Sequence, residues 1–296
     1  MTVSTGNFAE LLWPGIKDLF GQAYERWETK YTQFCDIMES DKAFEKLQGV
    51  TGLPLASIKT QGNQIPFVDP MQGLQKEFVN VTYAIGSGVT REMYEDDQYN
   101  YINSIPSMIA ESVRQTEETV ATNVLNNGFS TATAADGLSV FNASHVLVAG
   151  GTYRNQPSTA ADLTQTSLEQ AFIDISDYTD DQGLKINIMP KVLIVPTALQ
   201  FVAEKILNTE YEVDTANNTV NPMKGRLPLV VTPFLTDTDA WFIKTSSRNG
   251  MVFFNRRSAD LERDNDFNTQ NLLFAGTRRF SVGVADAHGL YGSQGA

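Results

Sequence analysis

The chain of 296 residues holds one cysteine, Cys35, and two histidines, His145 and His288. A single thiol cannot close an intrachain disulfide, and no Cys/His spacing resembles a zinc site. Cys35 lies in an apolar periodic stretch and is expected to be a small buried hydrophobe. No run of about 18 apolar residues occurs, so no segment is expected to cross a membrane as a helix. Residues Met1 to Glu10 lack a basic start and a long apolar core, so no secretory leader is expected. Positive charge is scarce too: 22 Lys and Arg stand against 35 Asp and Glu, a formal net charge of −13. Proteins that grip nucleic acid neutralise phosphates with clustered Lys and Arg. This balance argues against such a grip; it does not exclude a container for nucleic acid, and an acidic balance also simply keeps a protein soluble. Charged residues make up 19% of the chain, below the roughly 25% of an average globular protein. That fits a chain that covers part of its surface with neighbours.

Catalytic motifs are missing as well. There is no Gly-x-Ser-x-Gly elbow, no Gly-x-Gly-x-x-Gly turn and no Gly-Lys-Ser/Thr loop. Ser144 and His145 are neighbours in sequence, an arrangement that rarely yields a nucleophile–base pair, and His145 is expected to satisfy local backbone groups. Asp174, Asp177, Asp180 and Asp181 straddle a helix end without the closing Glu of a calcium loop. Glu262, Asp264 and Asp266 alternate as on one solvated strand face, flanked by Arg256, Arg257 and Arg263. No catalytic, cofactor-binding or metal-binding residue is assigned, and the chain is not expected to be an enzyme.

What is present is long-range pattern. Residues Asn7 to Ser40 carry an apolar face at three- and four-residue steps, through Leu11, Leu12, Ile16, Leu19, Phe20, Tyr24, Trp27, Tyr31, Phe34 and Met38, and are expected to be helical. From Gly49 to Ala84 the period vanishes. Gly52, Pro54, Gly62, Pro66, Pro70 and Gly73 punctuate short apolar pieces, and Val79, Val81 and Tyr83 alternate as in a strand. Such a stretch is too long for a structureless loop in a compact domain, so it is expected to be an extended two-stranded arm that needs a partner. Asp97 to Asn127 is expected to be one long helix, with Ile102, Ile105, Ile109, Val113, Val120 and Val124 as its stripe and Glu111, Arg114, Glu117 and Glu118 mostly opposite. Gly128 to Leu163 is expected to be irregular. A second helix is expected from a Thr166–Glu169 capping box to Asp180, and a third from Pro196 and Thr197, with Leu199, Val202, Ala203, Ile206 and Leu207 on its apolar face. Strands are expected at Lys191 to Val195, Leu229 to Phe234, Ala240 to Lys244, Met251 to Asn255 and Phe280 to Ala285. Thr164 to Asn255 has the look of a compact α/β unit, in a chain that is α+β overall.

Several segments, taken in order, resemble tailed-phage major capsid proteins. They are Val89-Thr90-Arg91-Glu92 with Glu95-Asp96-Asp97, Asp136-Gly137 with Phe141 and His145, and Leu193-Ile194-Val195-Pro196 with Leu199. Then come Asn218-Thr219-Val220-Asn221-Pro222-Met223, Asp237-Thr238-Asp239-Ala240-Trp241-Phe242-Ile243-Lys244, Asp264-Asn265-Asp266-Phe267 and Gly289-Leu290-Tyr291-Gly292. The resemblance runs across nearly the whole chain, and it implies the Hong Kong 97-type (HK97-like) capsid fold. Residues 1–48 would be the N-arm and 49–84 the E-loop that overlies a neighbour. Residues 85–163 would be the P domain with its spine helix, 164–255 the A domain, and 256–296 the return to the P domain and the C-terminal segment. It also implies hexamers and pentamers of a shell around double-stranded DNA, bound without sequence specificity, with no membrane and no cofactor. Because the arm begins at once, any scaffold is expected to be a separate protein, alongside a portal and room for decoration proteins. Some family members crosslink an E-loop Lys to an Asn. Lys59 and Lys76 lie in or near that loop, but no motif makes either reactive, so no crosslink is expected. Lys59, Lys76, Arg91, Glu92, Arg278 and Arg279 are the candidate assembly contacts. Two other readings are open: an encapsulin-like shell enclosing a cargo enzyme, and a soluble α/β enzyme with a helix-rich lid.

Overall fold

The computed structural model describes residues 9–96, 104–211, 220–266 and 269–296. Parts of three sequence expectations lie outside them: the start of the first helix, residues 97–103 of the long helix, and residues 97, 218, 219 and 267 of the resemblance segments.

Two four-stranded sheets share one core. The first has the order β1-β10-β11-β4, built from β1 (Asp36–Glu39), β4 (Val81–Val89), β10 (Met251–Asn265) and β11 (Leu272–Val284). β1 runs parallel to β10, and the other pairs are antiparallel. The second has the order β12-β9-β7-β8, from β7 (Pro190–Pro196), β8 (Leu229–Thr232), β9 (Trp241–Thr245) and β12 (Leu290–Ser293). Its edge strand therefore comes from the far end of the chain, after β10 and β11 have completed the first sheet. β7 is an apolar run whose Leu193, Ile194 and Val195 are wholly buried, as expected of a strand covered on both faces. Phe253 and Phe280 of the first sheet and Ile194, Val230 and Phe242 of the second belong to one apolar cluster, which joins the sheets. Helices α5 (Gln165–Ser176) and α6 (Gln200–Asn208) contribute Leu168, Ala171, Ile175, Ala203 and Leu207 to the core of the second sheet.

Helix α4 (Ile105–Asn126) packs on β11 and β4. At about 1.5 Å per residue its 22 residues span roughly 33 Å. Gly276 of β11 permits the close approach: a Cβ there would lie 2.3 Å from Ile109 Cγ2. The apolar stripe Ile105, Ile109 and Val113 is buried as the period requires. The polar side of the expectation fails, because Glu117 and Glu118 are fully buried rather than opposite the stripe. Besides Arg114 on the same helix, their partners Tyr24, Lys30, Tyr31 and Arg278 come from other segments, which no helical period reveals.

The N-terminal helical expectation is also too long. Helix α1 covers Ala9–Arg26, a single turn α2 covers Tyr31–Phe34, and the chain then extends as β1. Glu118 ends the first helix's claim on the chain by taking the amides of Lys30 at 2.5 Å and Tyr31 at 3.2 Å, the free N–H groups that start α2. Cys35 is buried just beyond that turn.

The extended arm exists with a different register. β2 (Phe44–Val50) pairs antiparallel with β3 (Gln72–Val79), so the arm rises five residues earlier than the glycines and prolines indicate. Its return strand ends at Val79. Asn80 breaks the run, and β4 belongs to the first sheet. Asn80 is buried because its side chain joins three segments. Its Nδ2 donates to Ser40 Oγ at 2.8 Å and Lys42 O at 2.9 Å, and its Oδ1 accepts from Ser281 Oγ at 3.0 Å.

Smaller corrections follow the same logic. The cap of α5 is Thr164 with Ser167, not Thr166 with Glu169, because Thr164 has the extended backbone that a cap needs. Val202 of α6 is exposed rather than apolar-face. The irregular stretch after α4 contains a short hairpin of β5 (His145–Val146) and β6 (Thr152–Tyr153), turned by Gly150 and Gly151 at positive φ. Strand β10 continues beyond its apolar piece through the charged stretch Arg256 to Asn265, and β11 begins at Leu272, before its expected start at Phe280. Helix α3 (Arg91–Glu95) follows β4 and is capped by Thr90 Oγ1.

Candidate assembly surface

The two-stranded ribbon ends at a clasp. Thr51 and Met71 exchange main-chain and hydroxyl hydrogen bonds at 3.1 and 2.8 Å. Beyond the clasp, residues 52 to 70 form an excursion with a turn at Thr60–Asn63, where Gly62 adopts φ 88°. Every residue of that excursion is exposed. It is not polar: Ile58 is 95% and Phe67 93% exposed, and Leu53, Leu55, Ile65 and Val68 are more than half exposed. Large apolar side chains grouped on a projection mark an interaction surface. Covering an Ile or Phe stabilises by about 1.5–3 kcal/mol each, which is the scale needed to offset ordering backbone at about 1–2 kcal/mol per residue.

The ribbon's root is seated on the body. Phe78 packs edge-on against Phe254, with ring centroids 5.2 Å apart, in a small cluster with Val252. Lys76 Nζ donates to Thr133 O at 2.7 Å and Thr133 Oγ1 at 2.8 Å. Burial lowers the Lys76 pKa, and Asp136 nearby opposes that shift. Lys59 lies on the exposed excursion and Lys76 at its root, so the two lysines are not equivalent: one is free to meet a neighbour and the other is spent within the chain.

The N-terminal helix is fastened to α4 by charge. Tyr24 OH donates to Glu117 Oε1 at 2.5 Å, Tyr31 OH donates to Glu117 Oε2 at 3.2 Å, and Arg114 Nη1 donates to the same Oε2 at 2.8 Å. The Arg114 guanidinium lies over the Tyr24 ring, 3.6 Å from its centroid. Arg278 Nε pairs with Glu117 Oε1 at 2.8 Å, out of line for a hydrogen bond. Burial, reinforced by the Glu117 charge, holds both phenols far above their ordinary range.

This network includes one of the two adjacent arginines. β11 is an inner strand, and Arg278 points into the α4 seam and is 6% exposed. Arg279 points to the other side, where its Nε donates to Asn80 O at 3.4 Å. Arg91 and Glu92 stand exposed at the start of α3, and Arg91 Nη1 donates to Gln270 Oε1 at 3.0 Å. The six candidate residues are thus not one patch. Sequence reading missed Tyr24, Tyr31, Arg114, Glu117 and Glu118. The available signal was the three-residue spacing of Arg114 and Glu117, which suits an ion pair along one helix face.

Of the four aspartates considered for calcium, Asp174 pairs with Arg154 and accepts from Tyr291 OH, Asp177 pairs with Lys185, and Asp180 caps its own turn. Among the described residues no group of three or more His, Cys, Asp or Glu is placed to hold a metal, and no helix is long and apolar enough to cross a membrane.

The family model described as "Phage capsid protein" matches residues 75–293. The major capsid protein of Escherichia phage Mu is 33% identical over 97 residues, 32% of this chain and 32% of its own length, so the match spans about a third of that relative. Among solved structures, the capsid of the native GTA particle aligns with TM-score 0.60 and 13% identity, covering 90% of each chain. The capsid of bacteriophage JBD30 aligns with TM-score 0.58 and 14% identity, covering 71% of this chain and 92% of that one. The virus-like particle of Pyrococcus furiosus aligns with TM-score 0.56 and 9% identity, covering 95% and 98%. At these identities the structures speak to the fold alone, and the fold is the α+β, HK97-like one that the resemblance implied.

Proposed function

The chain belongs to the phage capsid protein family, and from that premise we propose that it is the major capsid protein of a tailed phage, a virion subunit that acts by self-assembly. The family is a structural one, not an enzyme family. The observation that carries the proposal is the exposed apolar excursion of residues 52–70, with Ile58 and Phe67 almost wholly in solvent. A monomer gains nothing from such a projection. A shell supplies the missing cover from the next subunit.

In this reading the ribbon and its excursion are the E-loop, α1 to β1 the N-arm, α4 with the first sheet the P domain, and the second sheet with α5 and α6 the A domain. Subunits gather as hexamers and pentamers around double-stranded DNA. The net charge of −13 suits a wall that encloses DNA without gripping it. A separate scaffold and a portal complete the assembly. Electron microscopy of purified particles, with assay of their contents, tests this. Shells containing nucleic acid are expected from infected cells. Shells carrying a co-purified enzyme and no nucleic acid would overturn the phage assignment in favour of a cargo compartment.

A further inference from the structure

His145 is wholly buried, and each ring nitrogen faces only acceptors. Nδ1 lies 2.6 Å from Asp136 Oδ2, and Nε2 lies 3.1 Å from both Val140 O and Asn155 Oδ1. The orientation of the Asn155 amide is fixed independently. Its Nδ2 donates to Val140 O at 2.7 Å and Ala287 O at 3.2 Å, while its Oδ1 accepts from the Asn142 amide at 2.9 Å. Oδ1 therefore cannot be exchanged for a donor. Asp136 accepts from the Leu138 amide as well, at 3.1 Å, so it is engaged as a carboxylate. A neutral imidazole has one donor and one acceptor; either tautomer would set a lone pair against oxygen here. The site accommodates the doubly protonated ring.

This pair sits where the ribbon is held. Asp136 shapes the turn between Ala134 and Leu138, in which Gly137 takes φ 81° and the Ala134 amide donates to Leu138 O at 2.9 Å. The carbonyls at the start of that turn, Thr133 O at 2.7 Å and Ala134 O at 3.4 Å, accept from Lys76 Nζ of the ribbon. A cleft of about 310 Å³ separates the ribbon's root from the body and is lined by Leu47, Gly49, Leu74, Asp136, Tyr153 and His288, among others. We propose that the His145–Asp136 ion pair is a pH-operated latch. With the imidazolium present it holds the turn that anchors Lys76 and so fixes the ribbon. Loss of its proton leaves unpaired acceptors, loosens the turn and frees the ribbon's root.

The charged and titratable groups that face the pair are these. Asp136 faces His145 from the turn, and Lys76 approaches Asp136 from β3. Tyr153 stacks on His145 from β6 at 5.2 Å, and on its other side meets His288 at 3.8 Å. His288 is paired with Asp286 at 2.7 Å, and Tyr178, Asp181 and Asp286 act on Tyr153. The burial of Asp136 is outweighed by the hydrogen bond from His145, which holds its pKa below the ordinary range. The latch therefore stays shut on the acid side until Asp136 itself takes a proton.

Hydrogen–deuterium exchange of the full chain at about pH 6 and about pH 9, corrected for intrinsic rates, tests this. In the wild type, protection of residues 133–146 and of 72–79 is expected to fall together by about tenfold at the higher pH. His145→Gln is expected to be unprotected in both segments at both values. His288→Gln is expected to keep the step. Lys76→Met is expected to release 72–79 at both values while 133–146 still responds. The latch is overturned if the wild type shows no step, if the step survives in His145→Gln or vanishes in His288→Gln, or if the turn loosens and the ribbon does not follow.

Discussion

Glu117 and Glu118 are consecutive on α4 and both fully buried, yet their side chains serve different ends. Glu117 neutralises Arg114 and Arg278, whereas Glu118 caps the turn that follows the N-terminal helix. Removing one member of a buried charge cluster costs about 3–5 kcal/mol because the partners stay buried without compensation. Glu117→Gln is therefore expected to lower stability by about that amount in urea unfolding. Arg279→Gln, on the outer side of the same strand, should cost under about 1 kcal/mol. Equal effects would place the energy elsewhere. Glu118 behaves differently with pH. Burial, with Glu117 beside it, raises its pKa, and the Lys30 and Tyr31 amides only partly oppose this. A carboxyl raised in the fold binds its proton more tightly there than in the unfolded chain, so its contribution falls as pH climbs from the unfolded value to the folded one. Asp136 and Asp286, both lowered, have the opposite sign: their contribution is lost as pH falls. Glu118→Gln keeps an acceptor for the two amides and should flatten the loss of stability above the ordinary carboxylate range, measured as unfolding midpoint against pH. An unchanged slope would sink that assignment.

Elements were legible where their own residues decide them. β7 is apolar from Val192 onward and was evident, as was the apolar stripe of α4, because burial follows sequence pattern there. The ribbon was evident in kind but not in extent. Gly and Pro punctuate its excursion, whereas β2 is Phe44-Glu45-Lys46-Leu47-Gln48-Gly49-Val50, a mixed stretch whose strand character comes from pairing with β3. The alternation of Glu262 and Asp264 showed strand character, but its continuity with Met251–Asn255 as one strand β10 was hidden: β11 supplies the ladder, and charges on it need not be buried. Of the Glu117 cluster only the local Arg114–Glu117 spacing was legible, since Tyr24 and Arg278 are brought to it by the fold. At this scale Gly276→Ala is expected to push Ile109 away from the sheet and cost about 1–3 kcal/mol by overpacking. Thermal unfolding reads this directly, and a neutral result would mean that α4 can shift without penalty.

For the molecule as a whole, stability and assembly are separable. The excursion beyond the Thr51–Met71 clasp contributes no residue to any of the apolar clusters of the body. Replacing residues 53–69 by a short Gly-Ser linker should therefore leave the subunit folded, with an unchanged circular dichroism spectrum and urea midpoint. What it should remove is the cover each subunit lends the next. The most direct measurement is electron microscopy of the full chain and of this variant, expressed and purified side by side. Closed shells from the full chain, and folded subunits or capsomers without shells from the variant, are the expected result. Normal shells from the variant, or a full chain that stays monomeric under every assembly condition, would contradict the account.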